Sequence, residues 1–439
     1  MFKSAKNGKF YIEFAIVVLL LADLFYQVLP IFPLAGLVIL LQFARLDYTS
    51  NSILLFFFFP ALAGYVFRFM NTQGAGGAVM IIGFLMILFG ILTGRIKVRK
   101  WVGGILLLLV LFAMMFISMK TSEGGGNPED KFANTVSRGL YAFITFSVLF
   151  SNFKSANVKG LGVYIIVYAA FLLRLTLLGE GIEGPESFGD FGFIRRHVMD
   201  MMENDIFHVS YHYPGLYFLQ GMSLFLMSGA FKRREAYKWF IIGLLLLLYA
   251  GARQMVVVIF AMIAFWIIKS YAHKGIWQLT VFVLLSVALY LGTAVGEMFE
   301  TVTEEGYIEG GGRGPWLLQG LELFQTDTTN GVGFGQYHFF GDYSSYPHNL
   351  FVELLCEMGI VGFAVFLVAS IIGFLRAKRA VGTISYYLLS VFLFSMASGS
   401  LADNIIVFSL LFAARSLYKS DTSDAYPVDN TAVSYTVSG

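Results

Sequence analysis

The sequence predicts an all-α, polytopic membrane protein with about fourteen transmembrane helices and one long outer loop containing short helices. Three observations predict it. Hydrophobic residues make up 57% of the 439 and charged residues only 13%, where soluble domains carry about 25% charged residues. Mean hydropathy is +0.73. Apolar runs close to the roughly 20 residues that a span needs recur from end to end. Glycine is abundant, as it is in spanning helices more than in soluble ones.

In order, the runs lie near 11–29, 31–46, 52–70, 76–94, 101–119, 134–151, 159–178, 209–230, 236–250, 251–268, 275–295, 359–376, 383–400 and 402–418. The positive-inside rule tests this series. The predicted inner loops are Arg45–Asp47, Arg95–Lys100, Lys154–Lys159, Lys232–Lys238, Lys269–Lys274 and Arg376–Arg379, and Lys3, Lys6 and Lys9 precede the first span. Most basic clusters thus fall on one side, with both termini; Lys120, Lys131 and Arg138 are exceptions. Residues 1–295 are read as transmembrane helices with a short outer segment near 179–207, 296–358 as the long outer loop, 359–418 as the C-terminal transmembrane helices, and 419–439 as a disordered inner tail rich in Ser, Thr and Asp.

Several function classes are disfavoured. The net charge of +2 comes from local clusters that report orientation and does not suggest nucleic acid. The single cysteine, Cys356, excludes an internal disulfide. The basic start, MFKSAKNGKF, leads into a run long enough to span and lacks a small-residue cleavage site, so no cleaved signal is expected. There is no P-loop motif and no inner loop large enough for a nucleotide-binding domain. No internal repeat suggests a transporter. Spans such as Gly103–Met119 and Ile241–Tyr249 carry no charge, whereas a lipid-linked oligosaccharide flippase should line its cavity with charges.

The long outer loop concentrates the candidate chemistry. It carries GRGPW (Gly312–Trp316), GVGFG (Gly331–Gly335) and then PHNLFVELLCEMGIVGF (Pro347–Phe363). Arg253, at the outer junction in GARQ, is a lone arginine where the charge rule places none; its alternative is snorkelling to the interface. Arg313 sits among glycines just before Pro315, which suits the first turn of a short helix. A guanidinium beside a helix N-terminus favours an anion such as phosphate. Asn349 is placed to cap a helix, and Glu353 and Glu357 lie four apart on one face of it. Gly359 should break or kink that helix before the span, and the preceding segment is amphipathic enough to lie at the membrane surface. His348, one residue before the cap, would be held at the water–lipid boundary as a general base, or would bond locally.

A second constellation spans Phe191–Gly215, with Arg195, Arg196, His197, His208, Tyr211, His212 and Tyr213. The two arginines suggest an anionic partner outside. The histidines lack a carboxylate partner and Pro214 interrupts a helix, so a metal site is not expected. Tyr211, Tyr213, Tyr346 and Trp316 are candidates for stacking on sugar, or are interface anchors. Arg174, near the outer end of its span, would reach a phosphate or snorkel, and Asp403–Asn404 would line a polar cavity or, the favoured reading, form a tight turn.

The run GxGxG, a tyrosine-containing spacer, then PHN and a helix bearing Glu and Gly (Gly331–Gly359) resembles the O-antigen polymerase and O-antigen ligase superfamily. GARQ and GRGPW look like that family's two arginine motifs, and the resemblance covers roughly Tyr237 to Leu375. It implies a GT-C-type glycosyltransferase of the bacterial inner membrane, working at the periplasmic face; the sequence has no DxD-like pair or ligand cluster, so no cofactor or essential metal is expected. The implied donor is a glycan on undecaprenyl pyrophosphate. The implied acceptor is another lipid-linked repeat unit for a polymerase, or lipid A–core for a ligase. A chain-length regulator is a possible partner of a polymerase. By this resemblance Arg253 and Arg313 hold the pyrophosphate and His348 is the base; Arg195 and Arg196, from their place outside, are further donor-binding candidates. Ala252 departs from the small hydroxyl residue many members carry there.

Overall fold

The structure, a computed structural model, describes residues 10–60, 62–63, 75–98, 100–121, 128–180, 184–185, 187, 193–194, 212–230, 233–251, 253–270, 314–340, 347, 349–378, 380–396 and 401–417. Among the described residues there are helices and no strands. The N-terminal part contains α1 (Tyr11–Tyr26), α2 (Ile31–Arg45), α3 (Tyr48–Ile53, continued by a π-helical turn Leu54–Phe58), α4 (Ala75–Leu92), α5 (Val102–Thr121), α6 (Pro128–Ser151) and α7 (Ser155–Glu180). Then come α8 (His212–Met227), α9 (Arg233–Ala250), α10 (Arg253–Ser270), α11 (Gly314–Thr326) and α12 (Tyr337–Phe340). The C-terminal part contains α13 (Leu350–Ala377), α14 (Val381–Ser395), α15 (Leu401–Asn404), α16 (Ile406–Ala413) and a 3-10 turn, Ala414–Ser416.

Every apolar run in the series coincides at least in part with a helix except 275–295, which lies outside the described residues. Among the described residues, three helices are long and apolar enough to cross a membrane: Val102–Thr121, Ser155–Leu178 and Leu350–Ala377. Side chains such as Leu40, Leu92, Ile241 and Leu375 are exposed, as a lipid-facing surface requires.

Helix α7 is the hub. From Leu161 to Leu177 its apolar side chains are buried, and it packs chiefly on α8 and α1. Small residues make the α7–α8 approach close: a Cβ on Gly162 would stand 2.6 Å from the Gly221 carbonyl, and one on Gly221 would stand 2.7 Å from the Gly162 carbonyl. This is the small-residue contact that lets spanning helices meet at their backbones.

Polar contacts sort the helix ends. Glu13 accepts from Arg45 at 2.9 Å and from the Tyr164 hydroxyl at 2.9 Å. Asn157 donates to Asp47, Lys159 pairs with Glu235, and Lys97 and Asn152 exchange two bonds. Each contact joins loops or helix ends that the distribution of basic residues assigns to the same side. At the other end, Arg174 pairs with Asp23 at 2.7 Å, both 2% exposed. Asp23 Oδ1 also accepts from the Val28 and Leu29 amides, closing the turn between α1 and α2. Arg174 therefore neither snorkels nor stands open to solvent. Its Nε is committed to a carboxylate 151 residues away. Asp403, expected in a turn, lies in α15 and pairs with Arg138.

Candidate functional site

The described part of the long loop is built around a helix broken in its first third. Asn349 caps α13: its Oδ1 accepts from the Phe351 amide at 3.0 Å and the Val352 amide at 3.2 Å. Its Nδ2 donates to the Met396 carbonyl, which ties the cap to the end of α14. Ten residues after the cap, Gly359 has φ 59° and ψ −168°, a backbone state open essentially to glycine alone. The break frees backbone groups on either side, and the loop 328–333 takes them. Val332 donates to the Cys356 carbonyl at 2.8 Å and Gly333 to the Glu357 carbonyl at 3.0 Å. Ile360 and Val361 donate to the Thr328 and Thr329 carbonyls at 2.9 and 3.2 Å. The glycine run and the kink are thus two halves of one interlock.

The segment 350–358, expected to be amphipathic, turns its polar face into the protein. Val352, Glu353, Leu354, Cys356, Glu357 and Met358 are all buried, while Phe351 faces out. The reason is an internal cation. Lys131, on the first turn of α6, reaches Glu353 Oε1 at 2.6 Å and Glu357 Oε1 and Oε2 at 2.7 and 2.8 Å. Burial by itself would lower the lysine's pKa; the two carboxylates outweigh it and hold the ammonium well above its ordinary value. The same ammonium lies 5.2 Å from the Phe334 ring centroid, and Phe132 meets that ring edge-on. Ser118 of α5 completes the lock, accepting from the Phe334 amide at 3.0 Å and donating to the Glu357 carbonyl at 3.1 Å.

The helix that begins one residue after Arg313 is fastened to the same unit. The Tyr337 hydroxyl donates to the Trp316 carbonyl at 2.7 Å, and α11 packs along α13. A Cβ on Gly320 would stand 2.6 Å from Val352 and 3.2 Å from Pro347. Burial pushes the Tyr337 phenol up, with the nearby Cys356, Glu353 and Glu357 adding to it. In the exposed turn after α11, the Asn330 amide holds the Asp327 carboxyl below its usual range, with the Thr329 amide adding to it. An apolar groove with about 600 Å³ of free space opens beside the start of α13, lined by Leu350, Phe351, Phe363, Phe374, Phe392 and Phe408 among others.

Of the residues singled out from sequence, His348, Arg313, Arg195, Arg196, Tyr211 and Tyr346 lie outside the described residues, as does His208. Arg253 is the first residue of α10, and His212 the first of α8; their side chains lie outside the described part. Trp316 is half-buried on α11 and serves through its carbonyl. Tyr213 is exposed on α8. Lys131 is the residue that sequence reasoning passed over. Its signal was present, as a basic residue on the side where the charge rule expects none.

Residues 239–367 match the family model described as O-antigen ligase. No curated protein matches the chain. The match begins in α9 and ends within α13, so it contains GARQ, GRGPW, the glycine run, PHN and the broken helix in one stretch. The match over residues 239–367, in a chain whose apolar helices suggest a multi-pass membrane protein, is consistent with the O-antigen ligase and polymerase superfamily.

Proposed function

We propose that this chain is an O-antigen-type polymerase of the bacterial inner membrane. It transfers a growing glycan from undecaprenyl pyrophosphate to the non-reducing end of another lipid-linked repeat unit at the periplasmic face. The observation that carries the reading is that one family domain, 239–367, contains Arg253, Arg313 and His348 together. The apolar groove beside the start of α13 supports it, because an isoprenoid tail is the chemistry that such a lining accepts.

The reaction needs little more than charge and a base. The acceptor hydroxyl oxygen attacks the anomeric carbon, the bond from that carbon to the pyrophosphate oxygen breaks, and the anomeric centre inverts. His348 takes the hydroxyl proton. Negative charge grows on the departing pyrophosphate, and Arg253 and Arg313 stabilise it more in the transition state than in the ground state. Arg195 and Arg196 are proposed to steer the anionic donor, and Tyr211, Tyr213, Tyr346 and Trp316 to contact glycan. No metal takes part in this scheme.

Each arginine is worth a charged, bidentate bond of roughly 1.5–3 kcal/mol. Arg253→Ala and Arg313→Ala are therefore expected to lower the transfer rate by about 10- to 100-fold each. Arg→Lys should recover only part, because the planar fork is lost. A wild-type rate in either alanine variant removes that residue from the donor site.

The ligase reading, in which lipid A–core is the acceptor, is favoured by the family description itself. The test separates the readings. Purified protein in vesicles receives polyprenyl-pyrophosphate-linked repeat units, with and without lipid A–core and with no energy source. A ladder of lengthening lipid-linked products identifies a polymerase. Transfer only when lipid A–core is present identifies a ligase. Translocation without a new glycosidic bond identifies a flippase and refutes both.

A further inference from the structure

The broken helix raises a positioning problem that the family-matched stretch does not solve by itself. Segment 350–358 is uncoupled from the span beyond Gly359, since the intervening backbone bonds run to the loop 328–333. Its depth and rotation must therefore be set sideways. Glu353 and Glu357 are one helical turn apart, and a single ammonium bonds to both. Rotating the segment by one residue, about 100°, would carry both carboxylates away from that ammonium. The ammonium comes from α6, outside residues 239–367.

The cluster is also costly as a stability device. Two buried carboxyl groups share one cation inside. Interiors selected for stability alone are better served by apolar side chains of similar volume. The same lysine sits against Phe334 of the glycine run, and Phe334 is bonded through Ser118 to α5. One side chain thus references both halves of the interlock to the α5–α6 hairpin.

We propose that Lys131 is a positioning residue for glycosyl transfer. It fixes the azimuth and depth of the helix start that directly follows His348, and so holds the base where the acceptor hydroxyl arrives. This inference rests on the proposed function of the same site.

The test measures kcat and KM per folded molecule, on the monodisperse fraction in vesicles with lipid-linked repeat units. Lys131→Met alone leaves two uncompensated carboxylates and is prone to misfold. The informative variant is therefore the neutral triple K131M/E353Q/E357Q, compared with Lys131→Arg and with wild type. The triple variant is expected to melt near the wild-type temperature. Its kcat should fall at least about tenfold with KM for the donor within about twofold, the pattern of misplaced chemistry with intact binding. Lys131→Arg keeps the charge and should recover a substantial part of kcat. Wild-type kcat per folded molecule in the triple variant, or in Lys131→Met where the triple does not fold, overturns the inference. A loss confined to KM or to folded yield overturns it too. If wild-type protein transfers no glycan in these vesicles, the functional reading fails first; if wild type transfers and the triple variant matches it, the positioning role alone fails.

Discussion

His348→Ala protein is expected to fold, to keep its affinity for lipid-linked donor, and to transfer glycan roughly 10²- to 10⁴-fold more slowly, the range that a positioned general base supplies. The expectation of intact folding comes from the local structure. The cap of α13 is made by Asn349, not by its neighbour: the Asn349 side chain satisfies the Phe351 and Val352 amides and holds on to Met396. Losing an imidazole one residue earlier leaves those bonds in place. The acceptor hydroxyl, by contrast, loses the group that takes its proton, and water at a lipid boundary is a poor replacement. Single-turnover transfer by the purified variant, set beside donor binding and thermal melting, checks this. Full activity in His348→Ala would end the assignment of this residue as base.

Gly359→Ala should disrupt the site as severely by another route. At φ 59° and ψ −168° the alanine backbone is in a region essentially reserved for glycine, at a cost of about 1–3 kcal/mol. Its Cβ would also stand 2.5 Å from the Asn330 nitrogen and closer still to the Thr329 carbonyl. Those atoms belong to the loop that bonds back to the kink, so they have little room to retreat. Overpacking of this kind adds about 1–3 kcal/mol. Gly331 is subject to the mirror constraint, with a Cβ there 2.5 Å from the Cys356 carbonyl and 2.6 Å from the Gly359 nitrogen. The expected result is a lower melting temperature and loss of transfer. Limited proteolysis should show the variant opening near residues 327–340 before the transmembrane core gives way. A Gly359→Ala protein with wild-type melting and activity would mean that the kink is not needed.

How legible the site was depends on whether the relevant contacts are local. The Asn349 cap, the Glu353–Glu357 face and the break at Gly359 were all readable, because capping, the 3.6-residue period and glycine's backbone freedom act within a few residues. The start of α11 next to Pro315 was readable for the same reason. The partner of the two glutamates was not. Lys131 lies 222 and 226 residues away, and no local rule connects them. The sequence marked it only as a cation on the wrong side. Arg174 followed the same course: it stood out as a charge near the end of a span, with a phosphate or the interface as its partner, and the fold gave it Asp23. The amphipathic pattern of 350–358 was also misleading. Its polar face turns inward to Lys131, where a surface helix would turn it to water.

Composition and periodicity alone determined that this is a helical protein with helices apolar enough to span a membrane, and where most of the described helices run. These follow from the cost of placing charge in lipid. The motifs from GARQ to PHN marked the stretch that the O-antigen ligase family match covers. Tertiary structure alone decided what holds that stretch in place: a lysine from α6, a serine from α5 and a glycine loop threaded against a broken helix. The reason is that a buried ion pair is specified by proximity in space, and six of the described helices, α7 to α12, lie between Lys131 and Glu353 along the chain.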